Sequence, residues 1–230
     1  MTDTQIREAI SAEEIEIAPL DEEQLQPASY DLRLGDRAIL TKSLDVEKMR
    51  QRIEDDAAPE IDVAKEGSLS VPAGGFALIV TKERVRLSPQ YAGHLGLRSY
   101  FARKGLLLLA GLQVDPGFDG YLVLGLANLS PRAVHLSHEE PIATLELHRL
   151  SHPASVSYAG VYAGQQAKAT IPRADADYLR TIETLSVSDL TKALLRLSDS
   201  VGTLSRDVKI FFLPIGIAVL LAVVVQILTR

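Results

Sequence analysis

Two arginines and a serine, Arg98, Ser99 and Arg103, fall within six consecutive residues, and Asp115 follows at the head of the turn Asp115-Pro116-Gly117. A planar guanidinium makes paired, charge-assisted contacts to phosphate oxygens, and a serine hydroxyl adds a short donor. The first group therefore suits a phosphorylated ligand. An aspartate before Pro-Gly either caps its own turn or stands as a carboxylate beside a ligand. Alone, neither string separates a site from a solvated surface. His135, His138 and His148 form no ligand pattern, and nothing in the spacing of Glu139, Glu140 and Glu146 aims them at a common point.

The 230 residues carry a net charge of −6, with a pI near 5.4. That argues against a general nucleic-acid binder, whose field would be basic. A local basic cluster can still hold a triphosphate. There is no cysteine, so disulfides, thiol catalysis and Cys-ligated zinc are excluded together. The zinc-type base deaminases go with them, because the cysteines of their P-C-x-x-C ligand motif are missing. The first thirty residues are acidic and lack the apolar run of a signal peptide.

The elements that would position these groups are short. Asp3–Ser11 predicts a helix with Ile6 and Ile10 on one face, and Glu14–Ile17 alternates as a strand. The charged segment from Leu44 to Gly67 reads as a surface excursion. From Leu69 to Leu150, apolar runs are cut by turn signals at Gly74-Gly75, Ser88-Pro89, Pro116-Gly117, Ser130-Pro131 and Glu140-Pro141. Phe76–Val80, Gly105–Ala110, Tyr121–Leu124 and Ala133–Leu136 are the clearest strands. Such spacing predicts an antiparallel sandwich or barrel. After Ala174 the pattern turns helical. Leu190, Leu194, Leu197, Val201, Leu204, Val208 and Phe211 step by four and three. This is an a/d seam, either for a coiled coil or for packing on the chain's own body. Ile210 to Thr229 carries no charge. At about 1.5 Å per residue it would reach about 30 Å, a bilayer core, and it predicts a single C-terminal transmembrane helix. Arg206 and Lys209 before it, against Arg230 alone after it, put the body in the cytoplasm.

Three islands, Gln24–Gly35 (QLQPASYDLRLG), Arg98–Leu106 and Val114–Gly120, resemble in this order the nucleotide site of the dCTP deaminase/dUTPase family. The resemblance covers most of the chain before about Pro172. It implies a mainly β fold, a distorted β-barrel or jelly roll working as a homotrimer. The expected parts are a body over 1–172, a helical stalk over 173–209 and the membrane helix over 210–229. The implied ligand is a pyrimidine deoxynucleoside triphosphate, with Arg98, Ser99 and Arg103 on its phosphates. Gly111 and Gln113 would belong to a hairpin, Gly111 to Tyr121, that reads the base through main-chain groups. Phe118 would pack near the sugar. Asp115 would touch the deoxyribose or, as in dUTPases, orient the attacking water. Asp31 matches the first motif, where it organises a metal or subunit contact or merely a turn. Tyr158, Tyr162, Gly164 and Gln165 match the family segment YxGKYxGQxG, which closes on the triphosphate.

The departures matter as much. The family's deaminases carry a catalytic glutamate in the strand after Asp-Pro-Gly (roughly DPGxxGxxxLE), and that position here is Gly125. Val161 replaces the lysine of the closing segment, Ala167 its last glycine, and Tyr100-Phe101 a small apolar pair. Three functions follow as expectations. The first is a membrane-anchored binder of a pyrimidine deoxynucleoside triphosphate, without deaminase activity, acting as sensor, regulator or scaffold. The second is a dUTP/dCTP pyrophosphatase using Asp115 and Mg²⁺ brought with the triphosphate. The third is a trimeric assembly module without activity. No zinc, no metal centre of its own and no nucleic-acid partner are expected.

Overall fold

The computed structural model describes residues 1–40, 42–43, 60–160, 171, 183–184, 187–207 and 213–228. They belong to two compact units, Met1–Ser186 and Val187–Arg230.

The first unit opens with α1 (Asp3–Ser11). The Thr2 side chain accepts from the Gln5 backbone while the Gln5 side chain returns to that of Thr2, so two otherwise orphaned donors are satisfied at the helix start. Strands β1 (Ile15–Ala18), β2 (Leu25–Gln26), β3 (Ser29–Leu40), β4 (Lys42–Ser43) and β5 (Glu60–Asp62) lead to the short helix α2 (Val63–Glu66). Next come β6 (Ser68–Val71), β7 (Phe76–Leu87), β8 (Tyr91–Leu97), α3 (Ser99–Arg103), β9 (Leu106–Leu108) and β10 (Gln113–Val114). The unit continues with β11 (Asp119–Asn128), β12 (Val134–Ser137), β13 (Pro141–Arg149) and β14 (Glu183–Thr184).

Ten strands share one sheet in the order β10-β8-β13-β3-β7-β11-β9, with β1 on β7 and β2 and β5 on β3. Its pairings are antiparallel throughout, as the spacing of the apolar runs predicts. Alternation explains the layering. β7 buries every second side chain over most of its length, and Tyr30, Leu32, Leu34, Ile79, Leu124, Leu126, Leu145 and Leu147 meet in one core.

Two irregularities curl the sheet around Thr81–Glu83. The register of β3 on β7 shifts between Leu34 and Ala38. There Gly35 lies so close to β7 that a β-carbon would stand 2.8 Å from the Thr81 and Val80 carbonyl oxygens. The register of β11 on β7 shifts between Tyr121 and Val123. The Leu122 N–H that the bulge takes out of the ladder is received by the Thr81 hydroxyl at 3.1 Å, and that hydroxyl donates to the Glu83 carbonyl at 2.8 Å. A bulge leaves one backbone donor unpaired and sharpens the local twist, and here a single side chain repairs it.

The same stretch carries a buried ion pair. Glu83, fully buried, accepts from the Arg33 backbone at 2.8 Å and from its Nε. Arg33 Nη1 reaches Asp21 at 2.8 Å. Burial pushes the Glu83 carboxyl above the ordinary glutamate range, against the pull of the Arg33 hydrogen bonds.

The structure corrects several expected boundaries. The excursion from Leu44 ends inside the fold, since β5 pairs with β3 through Ala38↔Ile61 and Val63 is buried; residues 44–59 lie outside the described ones. The run Gly105–Ala110 yields only a three-residue strand: Gly105, at φ +92° against Ser130, belongs to the turn that ends α3, and the ladder to β11 stops at Leu108. Residues 172–182 and 185–186, around the expected end of the body at 172, lie outside the described ones.

In the second unit, α4 (Val187–Asp207) bears Leu194, Leu197, Val201 and Leu204 exposed along the expected seam. Helix α5 (Leu213–Leu228) is sixteen residues of apolar character broken by Gln226. Of the predicted span 210–229, residues 210–212 and 229 lie outside the described ones. Among the described residues no helix is long and apolar enough to cross a membrane.

Candidate functional site

Strand β8, the β10–β11 connection and Tyr158 enclose a cavity of about 190 Å³. Gly111, Gln113, Asp115, Phe118 and Tyr158 all line it, joined by Leu95, Ala110, Val114, Tyr121, Leu122 and Val123. The expected base hairpin is therefore one wall of a real cavity. The turn depends on Gly117, whose φ is +80° and whose added β-carbon would lie 2.6 Å from that of Ser157. Only glycine accepts both the backbone angle and the closeness. Phe118 N–H closes the turn on the Asp115 carbonyl at 3.1 Å, and Tyr158 N–H binds the Pro116 carbonyl at 2.9 Å. The Phe118 and Tyr158 rings then meet at 5.6 Å, which gives that part of the lining an apolar surface.

The apolar lining from β8 and β11 is the part the motifs did not name. Leu95, Leu122 and Val123 read in the sequence simply as strand residues, and their alternation gives no sign of which face meets a ligand. Polar character is concentrated in the hairpin. Gln113 Nε2 donates to Asp115 Oδ1 at 2.6 Å, which fixes how that carboxylate presents its second oxygen. Asp115 is the one carboxylate in the lining among the described residues. Glu139 is paired with Lys82, Glu140 caps the Ser137 N–H at 2.8 Å, and His138 faces Asp36 at 2.8 Å. None of these is positioned for chemistry in the cavity.

Arg98, Ser99 and Arg103 do not line this cavity. They sit on and just before α3, pinned by Phe101 in the core, with Ser99 and Arg103 exposed. Arg98 Nε meets Asp31 Oδ2 at 3.2 Å, and Nη1 donates to the Pro141 carbonyl at 3.4 Å. The Tyr100 that replaces a small residue lies outward, accepting a 2.6 Å hydrogen bond from Lys104 Nζ. Val161, Tyr162, Gly164, Gln165 and Ala167 lie outside the described residues.

The family model for dCTP deaminase-like proteins matches residues 1–150. The chain belongs to the dCTP deaminase-like family. A dCTP deaminase of Thermococcus sibiricus is 41% identical over 153 residues, 66% of this chain and 87% of the relative. A dUMP-forming dCTP deaminase of Persephonella marina is 31% identical over 167 residues, 72% of this chain and 92% of its own. The crystal structure of the 2′-deoxycytidine 5′-triphosphate deaminase from Agrobacterium tumefaciens superposes with a TM-score of 0.51 at 19% identity. That match covers 65% of this chain and 47% of the other, and it establishes the fold alone.

Within this dCTP deaminase-like body, Gly125 lies buried in β11 opposite Leu78. The place of a side chain is already taken. A β-carbon at Gly125 would stand 2.7 Å from the Leu109 carbonyl oxygen and 3.0 Å from the Phe76 ring. Leu109 is held there by its own N–H, which donates to the Gly125 carbonyl at 2.8 Å. Among the described residues, no cluster of three or more histidine or carboxylate groups could hold a metal ion. Asp115 alone is too few ligands for a protein-built Mg²⁺ centre, so Mg²⁺ would have to arrive on phosphate oxygens, its usual mode with nucleotides.

Proposed function

We propose that the chain binds a pyrimidine deoxynucleoside triphosphate without deaminating it and serves as a nucleotide-dependent sensor, regulator or scaffold. The observation that carries this reading is that no side chain fits at Gly125, while Gly111, Gln113, Asp115 and Phe118 line one cavity. Relatives named dCTP deaminase supply the substrate class. The cavity would take the base and sugar. The outward-facing Arg98, Ser99 and Arg103 suit phosphates bound in the cavity of a neighbouring copy, in keeping with the homotrimer the family resemblance implies. A second reading, pyrophosphate release assisted by Asp115, is favoured by the Gln113 hydrogen bond that orients it and by the dUMP-forming relative.

The test is to incubate the full chain with dCTP and dUTP, with and without Mg²⁺, following ammonia, pyrophosphate and the melting temperature. A triphosphate is expected to raise the melting temperature, and Arg103→Ala to abolish that rise, since one charge-assisted phosphate contact is worth about 1.5–3 kcal/mol. No shift at millimolar dCTP, dUTP or dTTP would leave only an assembly module.

We also propose that the second unit is a stalk and membrane anchor, with the body on the cytoplasmic side. The support is the exposed Leu194–Leu204 seam and the uncharged run from Ile210 to Thr229. The full chain is expected to resist carbonate extraction from membranes, while a chain ending at Lys209 stays soluble and trimeric. Equal solubility of both without detergent rejects the anchor. The stalk is rejected separately if Leu197→Asp with Leu204→Asp leaves sedimentation unchanged.

A further inference from the structure

Asp31 is a carboxylate out of water, 4% exposed on β3. Both its oxygens are engaged. Oδ1 accepts from the Thr144 hydroxyl at 2.9 Å, and Oδ2 meets Arg98 Nε at 3.2 Å. Thr144 stands directly across from Asp31 in the β13–β3 ladder, so the carboxylate is fixed on two sheet strands. Arg98 is its single cationic partner among the described residues, and that side chain is 38% exposed.

The two ends of this pair differ in what they need. A buried carboxylate is costly unless it is paired and hydrogen-bonded, so Asp31 holds its partner firmly. Arg98 spends Nε on Asp31 and one Nη1 hydrogen on the Pro141 carbonyl. The guanidinium plane is thereby set, and among the described residues Nη2 makes no hydrogen bond within the chain. An arginine recognises phosphate through planar, charge-assisted donors, and a guanidinium held at Nε and Nη1 offers Nη2 in a single orientation without losing side-chain freedom on binding.

We propose that Asp31 is a positioning residue for the triphosphate, orienting the Arg98 fork without touching the ligand; this rests on the triphosphate reading above. The β3 strand thus takes part in ligand binding through Arg98.

The test is a double-mutant cycle on the full chain, titrated calorimetrically with dUTP and, separately, with inorganic tripolyphosphate. Asp31→Asn keeps the shape and is expected to weaken both by about tenfold, while adding nothing in an Arg98→Ala background. Thr144→Val, which loosens the same carboxylate, should weaken binding in the same direction by less, and it serves if Asp31→Asn misfolds. A purely structural role would lower the melting temperature of the unliganded protein and leave both affinities as they were. That result overturns the proposal, as does an equal loss with and without Arg98. If the wild-type chain binds neither probe at millimolar concentration, the triphosphate reading itself falls and this role with it. Wild-type binding with an unaffected Asp31→Asn variant removes only the role of Asp31.

Discussion

Incubated with dCTP, the chain is expected to release no ammonia above the buffer rate. Hydrolytic deamination needs a group that takes a proton from water and returns it to the leaving amine, and losing such a group costs about 10²–10⁴-fold. Gly125 cannot do this, and the only carboxylate in the lining among the described residues, Asp115, is engaged by Gln113. Restoring the glutamate should fail too. In Gly125→Glu the new β-carbon meets the Leu109 carbonyl oxygen at 2.7 Å, a backbone atom that no rotamer change can move. Overpacking of this kind costs about 1–3 kcal/mol, so the variant should melt lower and stay inactive. Adding Phe76→Ala would relieve the ring contact but not the carbonyl. Ammonia release from dCTP that disappears with Arg103→Ala would refute this expectation.

Glu83→Ala is expected to destabilise the body by about 3–5 kcal/mol, the range for leaving a buried charge unpaired. For a body of this size that is about 2–4 °C of melting temperature per kcal/mol. Among the described residues, Arg33 would keep only Asp21 as a charged partner. Glu83→Gln, which keeps the shape and one acceptor, should lose less. The pair also sets a pH dependence. Because burial raises the Glu83 carboxyl in the folded protein, the folded state holds that proton where the unfolded chain has released it. Its stabilising contribution is full below the ordinary glutamate range and declines as pH rises through the raised value. Glu16 and Glu139 behave oppositely. Arg86 and Lys82, through hydrogen bonds, hold their carboxyls low, and their contribution is lost on acidification. Comparing wild type with Glu83→Gln by denaturant unfolding at several pH values isolates the Glu83 part. A loss below about 1 kcal/mol in Glu83→Ala would show the pair to be incidental.

The β body is legible because each run between turn signals carries its own alternation, and the turn residues Gly74 and Gly117 mark real turns with positive φ. Strand β5 is illegible for the opposite reason. Glu60-Ile61-Asp62 is mostly charged, and it joins the sheet through backbone bonds to β3 that leave no pattern in side chains. The site divides in the same way. Asp115, Gln113 and Phe118 cluster in sequence, so the hairpin announces itself. The Asp31–Arg98 contact and the crowding of Gly125 by Phe76 join positions far apart in the chain, which only the folded register brings together. Gly125 is visible as an identity, but that its surroundings leave no room for a side chain is a fact of packing.

Thr81 lies outside the cavity, yet its hydroxyl holds the bulge that carries Leu122 into the lining and rests in turn on the Glu83 carbonyl. Ligand mapping by mutation would therefore mislead. A scan scored on nucleotide affinity alone should flag Thr81 and Glu83 beside the true contacts, and draw a footprint spreading toward the β3–β7 seam. Scoring the unliganded melting temperature alongside would shrink that footprint, because Thr81 and Glu83 shift both quantities while a residue such as Arg103 shifts one.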